Sequence, residues 1–230
     1  MSPSARPVLD AIRSDIVEGV VPPGSALEVD VLAAAHDVSR IPVREALMTL
    51  VGEGLVEHQP RRGYSVAQLA PGELAELYEV RGTLELAALR VAVALGGPGD
   101  VDTARRAHEA LARAAAAADE REYHHQSRAF HQALTRPSAM PRLLAVFDRV
   151  WDLTEPYRPM DDLAPLEAEE LHDDHGRMLA AFAAGDADAL LDAAAAHQQN
   201  LAARVRARPF PVLAPVRSAP VRRRPRSSAP

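Results

Sequence analysis

The sequence predicts a mainly α-helical protein in which strands are confined to the first third of the chain. Hydrophobic residues make up 47% of the 230 residues but aromatic residues only 4%, so the core is aliphatic and alanine-rich, which favours closely packed helices. From residue 72 onward, apolar residues recur at helical spacing between breaks rich in glycine or proline. Six helices are expected there, at about 72–95, 100–117, 120–135, 141–154, 166–184 and 186–206.

The first 70 residues show a different order of elements, with three short helices followed by two strands. The spacing of apolar residues predicts helices at Pro7–Val20, at about Asp30–Ala35 and from Pro42 to about Val51. Ser39 is the expected N-cap of the third helix. Short strands are predicted at Leu55–His58 and Gly63–Val66. Three helices and a small hairpin are the pattern of a winged helix-turn-helix.

These patterns divide the chain into three parts. Residues 1–70 are predicted to form the winged helix-turn-helix, and residues 71–207 an all-α six-helix bundle that can enclose a pocket. The segment 208–230 is rich in proline and arginine and is predicted to be disordered.

Arginines lie at the positions of this fold that would face a nucleic acid. Arg40 stands at the start of the third helix and Arg44 one turn later, about 40° around the axis, so both can point toward a duplex. Arginine can read the guanine edge with two hydrogen bonds, and a helix N-terminus favours phosphate. Arg61 and Arg62, just before Gly63, add positive charge at the hairpin tip. The pattern predicts double-stranded DNA as the partner.

Composition excludes several other classes of protein. The chain has no cysteine, which excludes disulfides and thiolate metal sites, and no run approaches the roughly 20 apolar residues of a membrane helix. We therefore expect a soluble, cytoplasmic protein. The net charge is −6, and residues 1–70 carry six arginines against nine carboxylates. Because DNA affinity depends on local phosphate contacts, this balance permits binding, but it leaves open a ligand-binding protein with a degenerate DNA module.

Three of the nine histidines stand in the middle of predicted helices, on faces that are otherwise apolar. They are His131, His175 and His197, each on a different helix. Imidazole is the commonest metal ligand, but a lone histidine on an apolar face is more often an ordinary core residue. Spacing along the helices does not show whether the three meet, so both interpretations stay open at this point.

The segment 16–66 resembles the DNA-binding domain of the GntR family of bacterial repressors. The resemblance rests on Val38-Ser39-Arg40, Pro42-Val43-Arg44-Glu45-Ala46-Leu47, Glu53-Gly54-Leu55-Val56 and Gly63-Tyr64-Ser65-Val66. It implies a homodimer on a palindromic operator. One departure is Asp37, where the family usually has glycine; because aspartate tolerates left-handed backbone, we expect the turn to persist. Together with the hairpin arginines, the predicted DNA-binding residues are Ser39, Arg40, Pro42, Arg44, Arg61, Arg62 and Gly63.

The segment 72–206 resembles the all-helical FCD effector domain of the FadR-type branch, with six helices as in its VanR-like subgroup. The resemblance rests on Leu77-Tyr78-Glu79-Val80-Arg81, Phe130-His131-Gln132-Ala133-Leu134, His175 and His197. Many members hold a metal with one carboxylate and three histidines, which implies His131, His175 and His197 as ligands of a divalent ion such as zinc or nickel.

The position of the family's carboxylate ligand falls on Ser127, which departs from the pattern. Losing the anionic ligand should weaken metal binding and leave the site more positive, and His124 is an alternative fourth ligand. Arg81 matches an arginine that faces the effector pocket, with Ser127 as a second effector-binding residue. Because arginine pairs with carboxylates through a planar fork, the resemblance implies a small organic acid as effector. The alternative is a surface Arg81 paired with Glu85, four residues on.

The function predicted from these features is a non-catalytic transcriptional regulator, most simply a repressor, whose operator binding is controlled by the effector. A helical metalloenzyme using the three histidines is the alternative from a different class. It leaves Arg40, Arg44 and the hairpin without a role.

Overall fold

The computed structural model describes residues 2–157 and 165–207, which form two compact units. The first unit comprises the chain up to Ala70 together with the turn Glu155–Tyr157. The second comprises Pro71–Thr154 and the helices that follow residue 164. The tail at 208–230, predicted to be disordered, lies outside the described residues.

The first unit is built from three helices and a small antiparallel sheet, which confirms the predicted winged helix-turn-helix. The elements are α1 (Ala5–Val17), β1 (Ala26–Leu27), α2 (Val29–His36), α3 (Arg40–Glu53), β2 (Val56–Gln59) and β3 (Gly63–Val66). The strand order is β1-β3-β2, and β2 and β3 form the predicted hairpin. The sequence interpretation missed β1, because a two-residue strand has no recognisable alternation and forms only by pairing with the distant β3.

Local backbone geometry explains where the helices of this unit begin and end. Helix α1 stops at Val17, three residues before the predicted end, and the chain turns at Gly19 with φ 69°. Asp37 adopts the left-handed conformation, with φ 53° and ψ 48°, so the expected turn between α2 and α3 is present. Helix α3 begins at Arg40, two residues before Pro42, since a proline in the first turn removes no intrahelical hydrogen bond.

The second unit contains all six predicted helices, with ends within two residues of those expected. The helices are α4 (Pro71–Leu95), α5 (Pro98–Ala116), α6 (Glu120–Thr135), α7 (Pro141–Thr154), α8 (Pro165–Ala184) and α9 (Ala187–Ala207). Helix α4 packs against α6, α7 and α9, and α8 packs against α5 and α9. The core of this unit is mainly aliphatic, with Phe130 among buried leucines, alanines and Met178. None of the described helices is both long and apolar enough to cross a membrane.

Candidate metal centre and DNA-binding surface

Three imidazoles from three helices meet in the core of the second unit. His131 of α6, His175 of α8 and His197 of α9 are each at most 2% exposed, and one ligand nitrogen of each lies within 4.8 Å of the others. The Nε2 atoms of His131 and His175 are 3.1 Å apart. Two imidazole nitrogens bound to one ion at about 2.0–2.1 Å stand about 2.9–3.4 Å apart for bond angles between a right angle and tetrahedral. The cluster therefore has the spacing of a metal site.

The lowered pKa values of two of these imidazoles also suit a cation. Burial lowers the pKa of His175 well below its ordinary value, and the neighbouring histidines lower it further. Burial likewise lowers the pKa of His197, although Asp174 opposes the shift. Neutral imidazoles offer lone pairs, which metal binding requires. Nδ1 of His175 is buried and makes no hydrogen bond to the described residues.

A buried carboxylate orients the first histidine. Glu85 of α4 is fully buried and accepts a hydrogen bond from Nδ1 of His131. Burial would raise the pKa of Glu85, but the attraction of His131 and Arg81 outweighs it and the net pKa is lowered. An ionised carboxylate only accepts hydrogen bonds, so Nδ1 of His131 carries a proton, and Nε2 is the ring nitrogen that faces the cluster.

A second carboxylate stands behind the third histidine. Asp174 is 1% exposed, and its Oδ2 lies 3.5 Å from Nδ1 of His197, at the limit of a hydrogen bond. The same oxygen accepts a hydrogen bond from Asn200 at 3.1 Å, and the other pairs with Arg177. Burial would raise the pKa of Asp174, but these donors and His197 lower it overall. Two of the three imidazoles thus have an anionic partner on their outer side.

Arg81 lies in the same core. The alternative interpretation, which placed Arg81 on the helix surface, is therefore wrong. Arg81 is 3% exposed, and its guanidinium carbon lies 4.3 Å from the ring centre of Tyr78 and 4.2 Å from that of Trp151. Its Nε is buried without a hydrogen-bond partner among the described residues. Aromatic faces on the guanidinium stabilise the cation and hold its plane while leaving its edge for an anion.

The remaining predicted residues of this site have different positions. Ser127, at the place of the family's carboxylate, is 2% exposed. His124 is also buried, with its ring edge-on to Tyr123 at 6.4 Å between centres. It does not join the group of metal-ligating atoms found among the described residues, so the structure does not support it as a substitute ligand.

The N-terminal half of α3 presents most of the residues predicted to bind DNA. Ser39, Arg40 and Arg44 are exposed, and Ser39 occupies the N-cap position without a capping hydrogen bond from its side chain. Nε of Arg40 forms an ion pair with Asp30 of α2. Pro42 is buried, which differs from its predicted place among the DNA-binding residues. Pro42 lies about 200° around the axis from Arg40, so its ring points inward, and its missing N–H falls among the first-turn amides that have no intrahelical partner.

The hairpin between β2 and β3 presents the other predicted residues. Arg61, Arg62 and Gly63 are all exposed, and Arg62 N–H donates to the Gln59 carbonyl at 3.0 Å to close the turn. Arg61 and Gly63 have φ of 68° and 86°. Glycine at position 63 allows that conformation without steric cost, so the chain can reverse tightly with both arginines at the tip.

The sequence did not reveal several residues that surround the histidine cluster. Glu85 was considered only as a surface partner of Arg81, and Asp174, Tyr78 and Trp151 were given no role. Tyr78 stands one turn before Arg81 and Asp174 next to His175, but helical spacing does not separate such neighbours from ordinary core or surface positions. Their roles depend on which helices pack together.

These two units define a class of protein, a DNA-binding transcriptional regulator with a separate helical domain. The description "Bacterial regulatory proteins, gntR family" matches residues 5–66, and "FCD domain" matches residues 76–200. The chain therefore belongs to the GntR family and carries an FCD domain, which confirms the resemblance seen in the sequence.

Several known proteins are similar to this chain over most of its length. The HTH-type transcriptional repressor GlaR of Escherichia coli strain K12 is 31% identical over 185 residues, covering 76% of this chain and 83% of GlaR. The regulator McbR of the same organism is 29% identical over 83% of this chain and 88% of McbR. Solved structures of Escherichia coli McbR/YncC and of a GntR-type regulator from Rhodococcus sp. RHA1 have TM-scores of 0.79 and 0.77, each 26% identical over 89% of this chain and 98% of the other.

Proposed function

We propose that this regulator is a cytoplasmic homodimeric repressor of a palindromic operator, controlled by a small organic acid bound beside a divalent metal in the FCD domain. The observation that carries the proposal is the buried histidine cluster, in the same core as a buried arginine that lacks a partner at Nε. The name of GlaR as a repressor supports repression. Two-fold symmetry of the protein would match two operator half-sites.

The proposed metal site consists of His131, His175 and His197. Three imidazoles suit zinc or nickel, and such a set leaves coordination positions for water or an effector oxygen. When bound, the ion would supply a Lewis-acidic attachment point for a carboxylate. The protein itself contributes the orientation of the imidazoles, through Glu85 behind His131 and Asp174 behind His197. No catalytic residue is proposed.

Arg81 is the proposed partner of the effector's carboxylate. Its guanidinium carbon lies over the rings of both Tyr78 and Trp151, and these contacts restrict the side chain, so little conformational freedom is lost when an acid binds. Ser127 provides no negative charge where the family usually has a carboxylate, so it does not repel an anion, and its hydroxyl can donate a hydrogen bond. With a divalent ion bound, the ion and Arg81 together exceed the charge of the buried carboxylates Glu85 and Asp174, so the site would favour an anionic effector over a neutral or cationic one.

Substitution of Glu85 by glutamine is expected to weaken zinc binding about 10- to 100-fold, the usual effect of losing an outer partner of a metal-bound histidine. The glutamine keeps the shape but removes the charge that holds the His131 proton on Nδ1. Affinity is measured by competition with a chelator, with Glu76→Gln on the exposed face of the same helix as the control. A folded Glu85→Gln protein that binds zinc as tightly as the wild type would contradict this role, and Asp174→Asn tests the same idea at His197.

Calorimetry on metal-loaded and metal-stripped protein tests the effector proposal. The probes are lactate, succinate and benzoate, which differ in size and in the number of carboxylates. We expect at least one acid to bind the loaded protein and to lose affinity after metal removal or in Arg81→Ala. It should also shift operator affinity, because an effector controls binding only if it prefers one state of the protein. Equal effector affinity with and without metal would exclude the proposed contact between the effector's carboxylate and the metal.

A further inference from the structure

The exposed face of α3 combines positive charge with exposed apolar side chains. At 100° per residue, Arg40, Arg44, Met48 and Ile41 follow one another around the axis within an arc of about 100°. Ile41 is 68% exposed and Met48 53%, and Ile41 has the largest exposure of any bulky apolar residue in the described ranges. One edge of this face is therefore cationic and the other apolar.

A single exposed isoleucine needs no explanation on an ordinary protein surface. Ile41 differs because it lies in the first turn of α3, beside Arg40 and one turn from Arg44, both exposed. The first turn of a recognition helix is the part that approaches base edges. The surrounding arginines are complementary to phosphate and not to an apolar protein partner, so the position indicates DNA as the occupant of this surface.

Only one feature of the major groove suits an isoleucine side chain. Each base pair presents hydrogen-bonding groups there, and the C5-methyl of thymine is the apolar exception. We propose that Ile41 contacts the C5-methyl of one thymine in each operator half-site and so selects a T·A pair near the bases read by the arginines. This inference rests on the proposed placement of α3 in the major groove, and it adds a specificity-determining residue to it.

Replacement of thymine by deoxyuridine tests the contact, because it removes the methyl and leaves base pairing intact. An operator is first selected from randomised duplexes with the full-length protein, and each thymine is then replaced in turn. Kd is measured by fluorescence anisotropy for the wild type, Ile41→Ala and Met48→Ala. Met48 is the matched control, an exposed apolar residue on the same face about 10 Å further along the axis.

We expect one thymine per half-site at which uracil weakens wild-type binding about fourfold, the effect of losing one buried methyl group. Ile41→Ala should bind the thymine and uracil operators equally, Ile41→Val should keep most of the difference, and Met48→Ala should behave as the wild type. The proposal is overturned if no thymine shows a penalty, or if Ile41→Ala retains it. The proposal is also overturned if the loss of affinity caused by uracil disappears in Met48→Ala but persists in Ile41→Ala.

Failure of this inference and failure of the underlying placement give different results. If Arg44→Ala binds the operator like the wild type, α3 does not read the groove and both ideas fail. If Arg44→Ala loses binding while the uracil series is flat, only the role of Ile41 fails. Because Ile41 is exposed, its substitution should leave the melting temperature unchanged, which a thermal scan checks.

Discussion

Arg44→Ala is expected to abolish most specific operator binding. A bidentate arginine contact to a base contributes about 1–3 kcal/mol of discrimination, and a dimer would lose one in each half-site. The combined loss of roughly 2–6 kcal/mol corresponds to an increase in Kd of about 30-fold to more than 10⁴-fold. Arg40→Ala should have a comparable effect, because Arg40 stands one turn earlier on the same exposed arc.

The charge balance of the first 70 residues makes this effect large. This segment contains six arginines and nine carboxylates, so the domain as a whole has no excess positive charge to hold DNA when one contact is lost. Arg44 is exposed and has no ion pair among the residues described, whereas Nε of Arg40 forms an ion pair with Asp30. Binding should therefore depend on few groups, with Arg44 the more available of the two.

Anisotropy titrations over a range of salt concentrations measure the effect. A lost phosphate contact reduces the slope of log K against log salt by about one, whereas a lost base contact changes affinity with little change in slope. Arg106→Ala, an exposed arginine of α5, controls for net charge. Zinc binding should be unchanged in Arg44→Ala. Operator binding within about twofold of the wild type would remove the central support for the proposed reading surface, and would favour the metalloenzyme or the degenerate DNA module.

His175→Ala is expected to lower zinc affinity by more than about 100-fold, since outer-shell substitutions alone cost about 10- to 100-fold. His175 is fully buried, and its Nε2 is the atom that lies 3.1 Å from Nε2 of His131. Two histidines would remain, on α6 and α9, without the third nitrogen that completes the cluster. No carboxylate at position 127 compensates, because a serine stands there.

Zinc titration and thermal unfolding together measure this loss. A ligand that binds only the folded state stabilises it by RT ln(1 + [L]/Kd), about 2.7 kcal/mol at a hundredfold excess over Kd. Zinc should raise the melting temperature of the wild type and of His125→Ala, an exposed histidine of α6, but not that of His175→Ala. His175→Gln, which leaves a smaller cavity, repeats the test if alanine destabilises the fold. Unchanged zinc stabilisation in both His175 variants would place any metal elsewhere.

Much of the fold was predictable because its signals are local. Proline and glycine interrupt the helical pattern at the helix boundaries of the second unit, as at Gly185, where the backbone has φ 68°. The hairpin, the left-handed turn at Asp37 and the exposure of Arg40 and Arg44 also follow from short segments. By contrast, β1 needed a partner 39 residues away in the pair Ala26 and Ser65, and no local pattern encodes such pairing.

The sequence by itself determined the family, the two kinds of domain and the three histidines worth considering. Only the tertiary structure decided that His131, His175 and His197 meet, and that Arg81 and Glu85 are buried together and not paired on a surface. The physical reason is that helical periodicity defines a face of one helix, whereas contacts between α4, α6, α8 and α9 depend on how those faces pack. The placement of Glu85 and Asp174 behind the histidines likewise depends on that packing and not on periodicity.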